Sequence, residues 1–497
     1  MRKNIWAAAD REKVQKIMAF AEDYKAFLDR AKTEREAVDT IVNEAEAKGY
    51  RELSTLVRAG ESLKAGDKVY SVWMDKSIVL FRIGSERLEN GMNILGAHVD
   101  SPRLDVKQNP LFEDGGFGYL DTHYYGGIKK SLYVATPLAL HGVVVKKDGS
   151  TVLLSVGEDE DEPVFFISDL LIHLSHELMQ KSADKVVEGE ALDLIVGNRP
   201  FVIRKEEKPE EEEANADEYT EGQRRAICAE KEAGKEAKLL SGAVRRGILA
   251  ILYDEYGIEE DDFLSAELEI VPAGKARDAG FDRSMVIGYG QDDRVCAYPS
   301  FCAMDEAKEI TRTACCILVD KEEIGSVGAT GMRGRFFENC VAEVMALCGE
   351  TGTLAVRRCL ANSCMLSSDV TSAFDPVYAS VFEKKNAAFL GQGFALTKFT
   401  GARGKSGSND ANAEYLAHLR RIFEDRGIIF QTSELGRVDA GGGGTIAYIL
   451  ASYGMNVVDC GVPVMNMHAL YEVTSKADIY ELLQGYVAFL EEASLRS

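Results

Sequence analysis

Two adjacent carboxylates, Glu322 and Glu323, follow an apolar run at residues 314–319. The run is short and uncharged, which predicts a buried strand. Side chains alternate along an extended chain, so neighbouring carboxylates at its end point in different directions. One could therefore bind a cation while the other accepts a proton. An ordinary charged turn would carry the same residues, and this pair alone does not separate the two interpretations.

A histidine and an aspartate, His98 and Asp100, stand two residues apart just after a predicted strand at residues 92–95. Residues two apart share one side of an extended chain. His98 could therefore bind a metal through one ring nitrogen while Asp100 holds the other nitrogen or a nearby ligand. The alternative is a strand-end turn with a hydrogen-bonded histidine.

Three further candidates, Asp292, Asp369 and His468, each follow a strand-like run later in the chain. Asp369 could instead be the N-cap of a helix. Adding His98 and Glu323 gives two imidazoles and three carboxylates at predicted strand ends. This is the donor set for two zinc or related ions about 3.5–4 Å apart, with one carboxylate bridging them.

The elements that would position these residues are both helices and strands. Apolar side chains recur at helical spacing within residues 11–48, and strand-like runs follow from residue 68 onward. Ligands gather at strand ends in the sheets of α/β proteins. The pattern therefore predicts an α/β fold with the candidate ligands at one edge of its sheet.

A segment of different character, residues 106–272, separates the candidate ligands. It is rich in glycine and in strand-like runs. Because candidate ligands lie on both sides of it, we predict a second domain inserted into the first, whose two parts are residues 1–105 and 273–497. Within the insertion, the Glu-rich stretch from Arg204 to Lys238 predicts a mobile loop or solvated helix, or else an interaction segment.

Composition argues against several classes of protein. The 497-residue chain has a formal net charge of −23 and no basic stripe, unlike a nucleic-acid-binding protein. Charges interrupt its N-terminus, and it has no uncharged apolar run of about 18 residues, so neither a signal peptide nor a membrane span is predicted. The ten cysteines form no CxxC pair, which favours free thiols in a reducing cytoplasm.

Six stretches carry the candidate residues in order along the chain: GAHVDSPRLD, QDDRVCA, DKEEIGS, SSDVTSAFDP, VDAGGGGTIA and MNMHALYE. Together they resemble the motifs of the aspartyl aminopeptidase and aminopeptidase I family, metallopeptidase family 18, in its bacterial branch. The resemblance extends over nearly the whole chain. It implies a cocatalytic dinuclear zinc exopeptidase, with a mixed sheet flanked by helices and an inserted β-rich dimerisation domain.

The resemblance implies a role for each candidate ligand. His98 and His468 would each bind one metal ion, and Asp292 would bridge the two. Glu323 would bind one of the ions and Asp369 the other. The two divalent ions per subunit are expected to be zinc, with cobalt and manganese as alternatives that suit the same donors.

Two further residues are implied to assist the reaction. Glu322 would be the general base that takes a proton from the metal-bound water, and Asp100 would orient His98. The order of Glu322 and Glu323 comes from the resemblance, because spacing alone does not distinguish them. Glu322 would pass the proton to the leaving amine. A free α-amino group on the substrate would bind a metal or an acidic residue, which restricts cleavage to the N-terminal residue.

The resemblance also implies an assembly. Relatives use the inserted domain to form dimers and then a tetrahedral dodecamer, a shell that admits short peptides and excludes folded proteins. In relatives, a histidine in an Ile-His-Leu context reaches the active site of a neighbouring subunit. His173 has this context and is a candidate substrate-binding residue. The alternative is an ordinary core or surface histidine.

Preference for an acidic N-terminal residue would need a cation in the substrate pocket. Lys398, Arg403 and Lys405 are candidates, although their loop departs from the pattern of the aspartyl-specific eukaryotic enzymes. Other relatives prefer neutral or apolar residues. Gly442, in a run of four glycines, would permit close approach of the backbone to a substrate.

Two other functions stay open at this point. One is a related tetrahedral metallo-aminopeptidase or deacylase that cuts a different amide. The other is a metal-binding oligomer without catalysis, against which the presence of Glu322 argues.

Overall fold

The computed structural model describes residues 3–201, 220–225, 242–401, 404–440 and 442–494. The chain divides into two compact units, one made of Met1–Ser101 with Lys275–Ser497 and the other of Pro102–Gly274. The predicted domain boundaries after residues 105 and 272, and the dimerisation role of the middle domain, remain predictions.

The first unit is built on a mixed sheet, which has nine strands among the described residues. In spatial order these are β1 (Arg51–Glu52), β2 (Lys68–Trp73), β3 (Ser77–Arg82), β13 (Ala314–Val319), β4 (Asn93–His98), β14 (Cys364–Ser368), β18 (Asn456–Gly461), β16 (Phe394–Thr397) and β17 (Phe430–Thr432). The strands β13, β4, β14 and β18 run parallel to one another. Their carboxyl ends therefore meet at one edge of the sheet.

Helices accompany the strands. They are α1 (Ile5–Ala8), α2 (Arg11–Arg30), α3 (Glu34–Ala47), α4 (Leu53–Ala59), α5 (Ala243–Tyr256, in the second unit), α6 (Gln291–Glu306), α7 (Phe336–Leu347), α8 (Thr353–Ala361), α9 (Ala413–Asp425), α10 (Ala447–Ala451) and α11 (Lys476–Glu492). Ile94 and Leu95, neighbours on β4, belong to different buried clusters. Both faces of the sheet are therefore covered, which explains why its central strands carry apolar side chains on both faces.

A small sheet in the first unit supports the remaining site residues. Its order is β11 (Arg277–Ala279), β12 (Met285–Gly288), β20 (Glu472–Ser475), β19 (Pro463–Met465) and β15 (Thr371–Ser372). Gly288 at the end of β12 pairs with Glu472 at the start of β20. This register brings the chain before α6 next to the turn between β19 and β20.

The second unit is an antiparallel sheet. Its order is β8 (Thr151–Val156), β7 (Leu138–Val145), β10 (Ala266–Pro272), β5 (Arg103–Asp114), β6 (Phe117–Tyr125) and β9 (Leu194–Gly197). The strand β7 follows a 3-10 turn at Lys130–Leu132. The predicted α/β class with a β-rich insertion is confirmed.

Some sequence predictions fall on parts of the chain outside the described residues. They concern Cys228, Arg403 and most of the stretch from Arg204 to Lys238. The cysteines that the structure describes are all free, and most are buried. Among the described helices, none is both long and apolar enough to cross a membrane.

Candidate metal centre

Parallel strands bring three of the predicted motifs to one edge of the central sheet. Val319, the last residue of β13, pairs with His98, the last residue of β4. The 3-10 turn Glu322–Ile324 follows β13 directly. Asp369 follows β14, which pairs with β4 on its other side. These side chains come together because the strands that precede them end at the same level.

The Asp292 carboxylate lies between the two predicted histidines. Its Oδ1 is 3.2 Å from His98 Nε2, and its Oδ2 is 3.3 Å from His468 Nε2. Glu323 Oε2 lies 3.5 Å from the same His468 nitrogen. Burial would raise the pKa of Asp292, but the two imidazoles hold this pKa below its usual range. A carboxylate with one oxygen facing each imidazole has the geometry of a bridging ligand.

The donor atoms form three overlapping groups, and the atoms within each group all lie within 4.8 Å of one another. They are His98 with Glu322 and Asp369, His98 with Asp292 and Glu323, and Asp292 with Asp293 and Asp369. All five predicted ligands are therefore close together, since His468 contacts both Asp292 and Glu323. Their individual roles as ligands remain predictions.

The donors fit a cation. Burial raises the pKa of Glu323 and of Asp369 well above the usual range, and neighbouring carboxylates add to the effect. Glu323 Oε1 is buried and has no hydrogen-bond partner among the described residues. Buried carboxylates of like charge need a positive partner, and imidazole with carboxylate oxygen suits zinc and related divalent ions. The site thus has the chemistry of a metal centre.

Asp100 connects the two motifs that the sequence singled out first. Its carboxylate accepts hydrogen bonds from the backbone N–H groups of Glu322, at 3.1 Å, and Glu323, at 3.2 Å. His98 Nδ1 lies 3.0 Å from the Asp100 carbonyl oxygen and 3.3 Å from Asp100 Oδ1. Asp100 therefore contacts the His98 ring and also holds the turn that carries both glutamates, and its role in orienting His98 remains a prediction.

Two carboxylates at the centre had no role in the sequence interpretation. Glu472 accepts from the Asp292 backbone N–H through Oε2, at 2.9 Å, and from the His468 N–H through Oε1, at 2.8 Å. Asp293 Oδ2 accepts from the His98 N–H at 3.3 Å. Glu472 ends the motif that contains His468, but a local pattern does not show that it reaches Asp292.

A cleft of about 430 Å³ opens beside the centre. Four of its lining residues belong to the donor groups just described, among them Glu322. Burial, with the neighbouring Asp292, raises the pKa of Glu322 to about 7, against the opposing effect of His98. A carboxyl with such a pKa can accept and release a proton near neutral pH.

The predicted substrate-binding residues lie elsewhere or are engaged elsewhere. His173 is exposed on a 3-10 turn of the second unit. Lys398 and Lys405 both form ion pairs with Asp410, and neither lines the cleft. Gly442 does not line it either, although the next two glycines in the chain do. None of these four residues is brought into the cleft, and their roles remain predictions.

Comparisons with known proteins agree with this centre. The family described as aminopeptidase I zinc metalloprotease (M18) matches residues 27–490. A probable M18 family aminopeptidase 1 from Clostridium acetobutylicum is 53% identical and covers 98% of both chains. A counterpart from Thermotoga maritima is 38% identical over 99% of both.

Solved structures give the same result. The crystal structure of aminopeptidase I from Clostridium acetobutylicum superposes with a TM-score of 0.86 at 50% identity and covers 99% of both chains. The M18 aminopeptidase from Thermotoga maritima gives 0.87 at 38% identity and covers 99% of this chain and 100% of that one. The chain therefore belongs to the aminopeptidase I zinc metalloprotease family, M18, and is a metallo-aminopeptidase that removes N-terminal residues.

Proposed function

We propose that the protein hydrolyses short peptides with two divalent metal ions, which its own side chains bridge. The observation that carries this proposal is the position of Asp292, with one carboxylate oxygen near His98 and the other near His468. Glu323 would complete the His468 side, since it lies 3.5 Å from the His468 ring, and Asp369 the His98 side, since it shares a donor group with His98. Zinc fits the family description, and cobalt or manganese would suit the same donors.

Glu322 would be the general base. Its carboxylate lines the cleft and shares a donor group with His98 and Asp369, so it lies where water and the peptide carbonyl would meet. The ions, when bound, would polarise the scissile carbonyl and lower the pKa of water. Glu322 would take the proton of the attacking water and deliver it to the leaving amine, while Asp100 keeps the Glu322 backbone in place.

Assembly and location belong to the same proposal. A structure of the yeast protein mApe1, at 19% identity and a TM-score of 0.70, is described as a dodecamer. We expect this chain to form dimers that assemble into a similar dodecamer, with His173 contributed to a neighbouring subunit. A closed shell would limit substrates to short peptides. We expect a cytoplasmic location, because the cysteines among the described residues are free thiols.

A preference for acidic N-terminal residues would need a cation on the wall of the cleft. The two lysines proposed as pocket cations, Lys398 and Lys405, are paired with Asp410. Arg333 contacts the hydroxyl of Tyr448, which lines the cleft, but Arg333 is itself exposed and outside the lining. No lysine or arginine lines the cleft within the part of the chain that the structure describes.

The test compares two adjacent glutamates. Glu322→Gln should keep both metal ions and lose about 10²–10⁴-fold in kcat, because it removes only the proton acceptor. Glu323→Gln should weaken metal binding, because it removes a ligand. Both are measured on X-alanine dipeptides with N-acetylated controls, with and without chelator, alongside the metal content of each protein.

Three results would contradict the proposal. They are full activity of the metal-loaded Glu322→Gln variant, cleavage of acetylated peptides, and the absence of cleavage despite two bound ions per chain. The last would point to another amide as substrate or to a metal-binding oligomer without catalysis.

A further inference from the structure

A buried aspartate outside the metal centre lies on the cleft wall. Asp459, on β18, is only 3% exposed and lines the cleft. Its Oδ1 accepts a hydrogen bond from the Thr445 hydroxyl. Its Oδ2 is buried and has no hydrogen-bond partner among the described residues. Leaving a buried carboxylate oxygen without a donor is costly, and burial accordingly raises the pKa of Asp459 to about 7. A donor from a further group would stabilise the ionised form.

Asp459 is part of a polar row that crosses the central sheet. It pairs with Ser367 on β14 and with Thr397 on β16. The Thr397 and Ser433 hydroxyls are 3.1 Å apart. Paired residues point to the same face of a sheet, and all four side chains are buried. The interior of a sheet normally carries apolar side chains, so this row marks a surface built to meet a polar group.

The row begins beside the metal centre and leads away from it. Ser367, on β14, lies two residues before Asp369, which comes directly after the strand. From Ser367 the row crosses β18 and β16 to β17. The side chain of an N-terminal residue must leave the scissile bond in some direction, and two members of this row, Asp459 and Thr397, line the cleft along one such path.

The remaining lining is rich in hydroxyl groups. It includes Ser326, Thr371, Thr397, Thr400, Thr445 and Tyr448. Hydroxyls can donate or accept, but the free oxygen of Asp459 can only accept while the carboxylate is ionised. Without a lysine or arginine in the described lining, a second carboxylate placed here would face like charge.

We propose that Asp459 forms the floor of the subsite for the N-terminal side chain and selects side chains that end in a hydrogen-bond donor. Lysine and arginine would fit best, neutral polar residues next, and acidic residues worst. The inference rests on the proposed peptidase function and names the substrate class of that same cleft. Asp459 thus acts on specificity, apart from the groups that perform the chemistry.

The test is the ratio of kcat/KM values for lysyl-alanine, leucyl-alanine and glutamyl-alanine, measured on the metal-loaded protein and on Asp459→Asn. A ratio taken within one preparation does not depend on the fraction of folded enzyme. The wild type should prefer the lysyl substrate to the glutamyl one. In Asp459→Asn, the lysyl-to-leucyl ratio should fall about 10- to 100-fold, as expected for loss of a hydrogen bond to a charged group. The glutamyl-to-leucyl ratio should rise.

A second variant controls for loss of polarity alone. Thr397→Val removes a neighbouring hydroxyl of the row and keeps the shape of the side chain, so it should change the lysyl-to-leucyl ratio far less than Asp459→Asn. Equal loss on all three substrates would overturn the inference, because Asp459 would then bind the shared α-amino group or support the fold. A wild-type preference for glutamyl-alanine would also overturn it. If the wild type cleaves none of the three, the peptidase proposal itself fails.

Discussion

Replacing Glu472 by glutamine should weaken metal binding although Glu472 is not a predicted ligand. Its two carboxylate oxygens accept separate hydrogen bonds, from the backbone N–H of Asp292 at 2.9 Å and of His468 at 2.8 Å. Glutamine has one acceptor oxygen and one amide group that only donates. One of the two backbone N–H groups would therefore face another donor, and the segment carrying a ligand would move.

The expected loss of metal affinity follows from the hydrogen bond that Glu472→Gln removes. A hydrogen bond to a charged group contributes about 1.5–3 kcal/mol, which corresponds to roughly 10- to 150-fold in affinity. Burial raises the pKa of Glu472 to about 8, and Asp292 adds to this shift. The difference in metal affinity between the wild type and Glu472→Gln should therefore be largest above pH 8, where the wild-type carboxylate is ionised. It should narrow near pH 6, where a protonated carboxyl resembles the amide.

Glu350 provides a matched control. It also accepts two backbone N–H bonds, from Leu88 at 2.8 Å and Glu89 at 3.0 Å, but it lies outside the metal centre. Competition with a chromophoric chelator measures metal affinity, and thermal unfolding measures stability. Both Glu350→Gln and Glu472→Gln should unfold at a lower temperature than the wild type. Only Glu472→Gln should bind metal more weakly. Equal metal affinity in Glu472→Gln and wild type above pH 8 would refute the reasoning.

Other outcomes follow from close packing and from charge. A Cβ at Gly461 would lie 2.0 Å from the Asp369 carbonyl oxygen, so Gly461→Ala should reduce both metal content and activity. Gly84→Ala is also tight, with a Cβ 2.4 Å from the Thr311 carbonyl oxygen, but it is remote from the metal centre and should lower the unfolding temperature alone. Because burial raises the pKa of Glu323 and Asp369, metal must displace protons, and chelator competition should show affinity rising from pH 6 to 8; a flat profile would contradict this. Burial also raises the pKa of Asp193 to about 6, so the folded state holds this proton more tightly and stability falls as pH rises from 3.8 to about 6. Asp193→Asn should therefore unfold at higher temperature than wild type at pH 8, with no such gain below pH 4.

The sequence could predict that the candidate donors lie close together, because they stand at the ends of strands that end at the same level. His98 and Asp369 come directly after apolar runs, and such runs identify buried strands without further information. Parallel pairing then brings their ends to one edge, whatever the order of the strands. The grouping of the donors could therefore be inferred before the topology was known.

The supporting carboxylates could not be predicted in the same way. Glu472 and Asp292 are 180 residues apart in the chain, and they meet only because β12 pairs with β20. Asp459 lies within an otherwise apolar strand, where its neighbours Ser367 and Thr397 are set by register across three strands. Register is a property of the whole sheet and leaves no local signal.

The two lysines proposed as pocket cations show that a local pattern in the sequence also fails to predict which charges are paired. Lys398 and Lys405 are near glycine-rich and polar residues in the chain, which suggested a pocket for an acidic side chain. In the fold, both ammonium groups form ion pairs with the single carboxylate of Asp410, a residue of the same loop. The charge that a substrate meets depends on which charges remain unpaired on the cleft wall. On the part of the cleft wall that the structure describes, the charged member of the polar row is Asp459. We therefore expect the cleft to prefer substrate side chains that donate a hydrogen bond over acidic ones.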